Sequence, residues 1–143
     1  MLFLANLNWL AILVASLVSF VSGAIWFGPK TFFPVWWKAM GKEPTDNAGS
    51  GSNMAVVFGA TYLGQLFQVT AMAMIIAACR FAYPGFSLAE GLTLGIIAGV
   101  GLIAASSLSH RLFGGQGFKV WLIEVGSDAI NIVIASIILT LWF

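Results

Sequence analysis

The chain has 143 residues with a net charge of +1, of which 60% are hydrophobic and 8% charged, and its mean hydropathy is +0.99. Soluble domains carry roughly 25% charged residues, so this is the composition of an integral membrane protein, a single domain over residues 1–143. The near-neutral charge excludes a nucleic-acid partner, whose phosphates call for a basic patch, and makes the lipid bilayer the first partner. Cys79 and His110 are the only residues of their kinds. An intrachain disulfide, a C-x-x-C redox pair, a cysteine zinc site and two-histidine haem ligation are therefore excluded within one chain, and no cofactor, metal or catalytic residue is assigned.

Four segments reach the ~20 apolar residues needed to cross a bilayer core. They are 8–27, 53–79, 87–112 and 118–142. The expected fold is all-α, an integral membrane four-helix bundle with a short interfacial amphipathic helix between spans one and two. Span one reads as permanent rather than as a signal peptide, because no Lys or Arg precedes it and its apolar run exceeds the roughly 7–15 residues of such a segment.

The first loop, 28–52, carries Lys30, Lys38 and Lys42, and Arg111 and Lys119 flank the third loop, against Arg80 alone in the second. The positive-inside rule then makes loops one and three cytoplasmic and puts both termini outside, in a bacterial inner membrane. Within the first loop, 31–40 reads as a short helix in the interface. Phe32, Phe33, Trp36, Trp37 and Met40 recur at steps of three and four, an aromatic anchor at headgroup level. The polar stretch 42–52 that follows is irregular chain.

Loop two turns at Pro84-Gly85, and loop three is the tight Gly114-Gly115-Gln116-Gly117, so spans three and four form an antiparallel hairpin. The glycine run lacks the spacing and the following Lys-Ser/Thr of a phosphate loop; a turn explains it. On span three, at 100° per residue, Gly91, Gly95, Gly99, Ser106 and His110 share one face. Such a glycine stripe lets another helix approach closely, and span four, span one or a second copy of the chain are all open as its partner.

Span four carries Glu124, Asp128 and Asn131 within about 100° of the helix circumference. A charged side chain at mid-helix costs about 2.5–3.5 kcal/mol on insertion scales and usually has a task. At 1.5 Å per residue from Lys119, Glu124 lies ~7 Å in, Asp128 ~13 Å and Asn131 ~18 Å. Glu124 is within reach of Arg111 or His110, and pairing residues equidistant from Gly115 sets Ser106 opposite it. Asp128 lacks so ready a partner; Ser16 and Ser19 on span one, and Thr61, Gln65 and Gln68 on span two, are the candidates at similar depth. Asp128 is then either a protonated carboxyl that glues helices together or a group that titrates or holds a cation along a pathway.

Several segments together carry a family resemblance. Asn8-Trp9-Leu10-Ala11-Ile12, Gly23-Ala24-Ile25-Trp26-Phe27-Gly28-Pro29, Trp37-Lys38-Ala39-Met40-Gly41 and Lys119-Val120-Trp121-Leu122-Ile123-Glu124-Val125-Gly126 resemble the bacterial membrane family catalogued as domain of unknown function 1761. The resemblance covers essentially the whole chain and implies four spans with no established activity. The family pattern tends to carry Asp or Asn at the Glu124 position, and an aromatic followed by His where this chain has Ser127-Asp128. It therefore implies a shared role for position 124 rather than for Asp128.

No enzyme is expected. The one nucleophile–base step, Ser106 to His110, has no orienting acid except Glu124, and serines in membrane helices usually bond their own backbone or a neighbour. Two classes remain. One is a small oligomeric transporter or channel for protons, ions or small solutes, using the acids of span four. The other is a non-catalytic accessory or scaffold subunit of a larger membrane complex, packing through the glycine face of span three.

Overall fold

In the computed structural model, residues 6–49 and 51–142 are described, and they are all-helical apart from turns and loops. Span one is α1 (Trp9–Trp26), the interfacial segment is α2 (Phe33–Ala39), and spans two to four are α3 (Met54–Ala82), α4 (Leu88–Phe113) and α5 (Gly117–Leu141). Four of these, all but α2, are long and apolar enough to cross a membrane. Side-chain caps set the N-termini of α1, α3 and α4. Asn8 accepts from Ala11 N at 3.0 Å, Asn53 from Ala55 N at 3.0 Å, and Ser87 with Glu90 forms a reciprocal capping box, which satisfies amides that hydrocarbon would leave bare. The α4–α5 turn is set by Gly115 and Gly117, both at positive φ.

The core is a single cluster in which α1 (Ala11, Ile12, Ala15), α3 (Val69, Met72, Ala73, Ile76) and α5 (Ile132, Ala135, Leu139) interlock. α5 is the axis of the molecule. It packs against every other helix, whereas α4 packs essentially on α5 alone. Gly91, Gly95 and Gly99 make that contact possible: a Cβ on Gly95 would stand 3.0 Å from Val133 Cα, and one on Gly99 2.9 Å from Ala129 Cα. The Ser136 hydroxyl donates to the Gly91 carbonyl across the same seam. The glycine stripe thus serves the hairpin inside the chain, which settles the choice among span four, span one and a second copy and removes it as an outward scaffold surface.

α4 is not a regular α-helix. Residues Ile97–Ala104 form a π-helical stretch in which Ala105 N–H reaches back five residues to Val100 O. Each such turn holds one residue more than an α turn, which advances the inward face by about 100°. The buried positions record it: Gly91, Gly95 and Gly99 are four apart, and the next, Ala104, is five further on. Beyond that step Ser106 and His110 no longer share the glycine face, as uniform helical spacing had placed them. Both are exposed, and Ser107 and Arg111, one residue later, point toward α5 in their stead.

Candidate functional site

At the end of the bundle nearest the α1–α3 loop, indole donors fix the polar groups in place. The Trp121 Nε1–H is shared between the Ala104 carbonyl (3.1 Å) and Ser107 Oγ (3.2 Å), supporting a carbonyl at the edge of the wide turn. Trp26 Nε1 donates to Ile123 O at 3.0 Å, tying α1 to α5. Trp36, on the interfacial helix, donates to Glu124 Oε1 at 3.0 Å, while Arg111 Nε pairs with Glu124 Oε2 at 2.7 Å. The Glu124 side chain, 15% exposed, is therefore a junction of α2, α4 and α5. Sequence depth anticipated Arg111; it did not anticipate Trp36, and it wrongly set Ser106 and His110 opposite this acid, for want of the π turn.

The aromatic residues of the first loop form a connected stack. Phe32 stacks on Trp26 (4.2 Å), Phe33 on Trp37 (5.3 Å), and Trp36 contacts Phe27 edge-on (5.2 Å). Trp37 is buried and donates to Glu43 O at 2.9 Å, so the irregular loop is pinned to α2. A cavity of about 600 Å³ lies beneath this loop, between Phe33, Trp37 and Pro44, away from the span-four acids.

Deeper in, α1 and α5 run antiparallel in close contact. Ser19 Oγ donates to the Asn131 carbonyl at 2.9 Å, and a Cβ on Gly23 would stand 3.1 Å from Asn131 Nδ2. Ser16 shares a 3.2 Å hydrogen bond with Tyr62 of α3, whose ring packs edge-on against Phe20 at 5.5 Å. Tyr62 marks where α3 joins the bundle. Residues 54–61 are exposed on every side, and Cβ atoms on Gly59 or Gly64 would meet nothing within 4 Å. Those eight residues span ~12 Å of helix.

Asp128 is on the face of α5 that, a turn or two further on, packs Ile132 and Ala135 into the core with α3, but Asp128 itself is exposed. Among the described residues it takes part in no hydrogen bond or ion pair, and its charged neighbours are Glu124 and Arg111. The partners expected from depth are occupied elsewhere or unpaired: Ser19 bonds Asn131 O, Ser16 bonds Tyr62, Thr61 bonds Val57 O at 2.8 Å, and Gln65 Nε2 is buried without a partner. The polar groups of span four thus fall into two pieces, a tied Glu124 junction and an exposed Asp128. No group of three or more His, Cys, Asp or Glu that could hold a metal occurs among the described residues.

Four helices long and apolar enough to cross a membrane make this a multi-pass membrane protein. Residues 10–140 match the family described as "Protein of unknown function (DUF1761)", and the chain belongs to it. No curated protein and no solved structure matches the chain.

Proposed function

We propose that this protein is a small transporter or channel for protons, ions or small solutes, working as an oligomer in the bacterial inner membrane with both termini outside the cytoplasm. The observation that carries the reading is Asp128, an exposed acid on an apolar span with no hydrogen bond or ion pair among the described residues. An acid there costs about 2.5–3.5 kcal/mol unless water, cargo or protein meets it, and such residues mark ion and solute pathways. The ionisable groups around it are few: Glu124 on its own helix, Arg111 on α4, Tyr62 on α3, and none on α1. Glu124 is held in its ion pair, which leaves Asp128 as the group free to exchange protons or cargo. One chain alone exposes this face to lipid, and a second copy set against it would enclose an aqueous path.

The accessory-subunit reading has less support, because Gly91, Gly95 and Gly99 are consumed within the hairpin. The test is flux in proteoliposomes under an imposed pH gradient. Asp128→Asn should abolish pH-dependent flux while leaving the protein folded. Flux unchanged by that substitution, or none with the parent protein, would sink the transport reading.

A further inference from the structure

The cavity under the first loop combines an apolar wall with two unpaired cations. It holds about 600 Å³, within the roughly 300–1,000 Å³ of ligand pockets, and is partly enclosed. Phe33 and Trp37, stacked at 5.3 Å, line it together with Pro44, and its charged residues are Lys38, Lys42 and Glu43.

The loop's own hydrogen bonds hold the walls in place. Trp37, 8% exposed, donates its indole N–H to the Glu43 carbonyl at 2.9 Å, and the Lys42 amide donates to the Trp37 carbonyl at 3.2 Å. Gly41, at φ +74°, turns the chain after α2, so that Lys42 lines the same space as Lys38. The Glu43 amide donates to Asp46 Oδ2 at 2.9 Å, which engages the nearest other acid of the loop. Lys38 and Lys42 are exposed, and neither ammonium takes part in a hydrogen bond or ion pair among the described residues.

Position and charge together select a ligand. α1 ends at Trp26, and Pro29, which lines the cavity, follows after at most about 11 Å of chain. The cavity therefore lies at the end of a membrane span, where phospholipid headgroups are the most concentrated solutes. Two lysines against one glutamate leave a net charge of +1 in the lining, which the single negative charge of a phosphodiester balances. Each ammonium can donate to one non-bridging oxygen, the charge-assisted kind of hydrogen bond. The aromatic and proline faces suit the glycerol carbons and the first methylenes of the acyl chains. Free phosphate would leave that wall uncovered, and an uncharged amphiphile would leave the lysines unanswered.

We propose that the cavity bounded by Phe33, Trp37, Lys38 and Lys42 is a binding site for an anionic phospholipid, whose phosphodiester the two lysines hold. The site is separate from Asp128 and stands without the transport reading. A lipid seated there fastens α2 and the loop to the membrane surface.

The test is native mass spectrometry of the purified protein in mild detergent, titrated with phosphatidylglycerol or phosphatidylcholine, with inorganic phosphate as competitor. Phosphatidylglycerol should bind at least about fivefold more tightly than phosphatidylcholine. Lys38→Gln and Lys42→Gln should each weaken it about fivefold, the factor that one lysine at a membrane surface supplies. Lys30, exposed in the same loop but outside the cavity lining, is the control, and Lys30→Gln should leave binding unchanged. Millimolar inorganic phosphate should not displace the lipid. Equal binding of the two lipids would overturn the proposal. So would a loss with Lys30→Gln as large as with Lys42→Gln, which would reduce the effect to general surface charge, or displacement by phosphate, which would make this a free-anion site.

Discussion

Replacing Gly99 by Ala tests the α4–α5 seam against a control built into the same protein. The new Cβ would stand 2.9 Å from Ala129 Cα, 3.0 Å from Ala129 Cβ and 3.1 Å from Ile132 Cγ2. Carbon atoms rest at 3.5–4.0 Å, so α4 and α5 must part by about half an ångström or more, and overpacking of this kind costs about 1–3 kcal/mol. Gly64→Ala adds the same methyl to α3, where nothing lies within 4 Å, and should raise stability by up to about 1 kcal/mol through helix propensity alone. Comparing the two substitutions largely cancels the propensity term and leaves a gap of about 1–3 kcal/mol in favour of Gly64→Ala. Reversible unfolding in mixed micelles, followed by circular dichroism against detergent fraction, measures that gap. A companion pair locates the obstacle. Gly91→Ala meets the Thr140 side chain, including its Cβ at 2.9 Å, so Thr140→Ala should restore part of the loss; Gly99→Ala meets backbone and should gain little from Ala129→Gly. Gly99→Ala proving as stable as Gly64→Ala would refute the seam.

Two indole donors lend themselves to similar treatment. Trp36→Phe keeps a ring beside Phe27 but removes the donor to Glu124 Oε1, so stability should fall by about 1.5–3 kcal/mol, the range for a hydrogen bond to a charged group. Trypsin should then cut faster after Lys38 and Lys42, and unaltered digestion would deny that Trp36 fastens the interfacial helix. Trp121→Phe strips the indole from Ala104 O and Ser107 Oγ, a loss of about 1–3 kcal/mol. Hydrogen–deuterium exchange should quicken within Ile97–Ala104 more than in the first turns of α4; a uniform change along the helix would contradict a local role.

The spans were legible because hydrocarbon allows a polypeptide few choices: ~20 apolar residues mark each one in the local sequence. The capping roles of Asn8, Asn53 and Ser87, at the first residues of three of those spans, came from the structure. The glycine stripe was as plain as the spans, and so was the hairpin from its four-residue turn. The phase of α4 beyond Gly99 was not. A constant 100° per residue carried Ser106 and His110 inward, and one inserted residue per wide turn, which no local propensity announces, exchanged them for Ser107 and Arg111. The four-four-five spacing of Gly91, Gly95, Gly99 and Ala104 was present in the sequence, but Ala104 is too common a residue to stand out. Asp128 was visible as costly, yet the divergence of α3 at Tyr62 is a tertiary fact that hydropathy cannot carry, since residues 54–61 are as apolar as any packed segment.

Because α5 follows the other helices in the chain, its central place in the packing imposes an order on biogenesis. α1 and α3 can meet through Ser16 and Tyr62 as soon as both are in the bilayer. α4 has no comparable option: its glycines are shaped for α5, so it waits in lipid with an open groove until the following span is threaded beside it. Assembly is thus gated by synthesis of the very helix that carries the two acids. A chain stalled before Gly117 should be an insertion intermediate with loose spans, a ready substrate for membrane quality-control proteases, rather than a three-helix version of the finished protein.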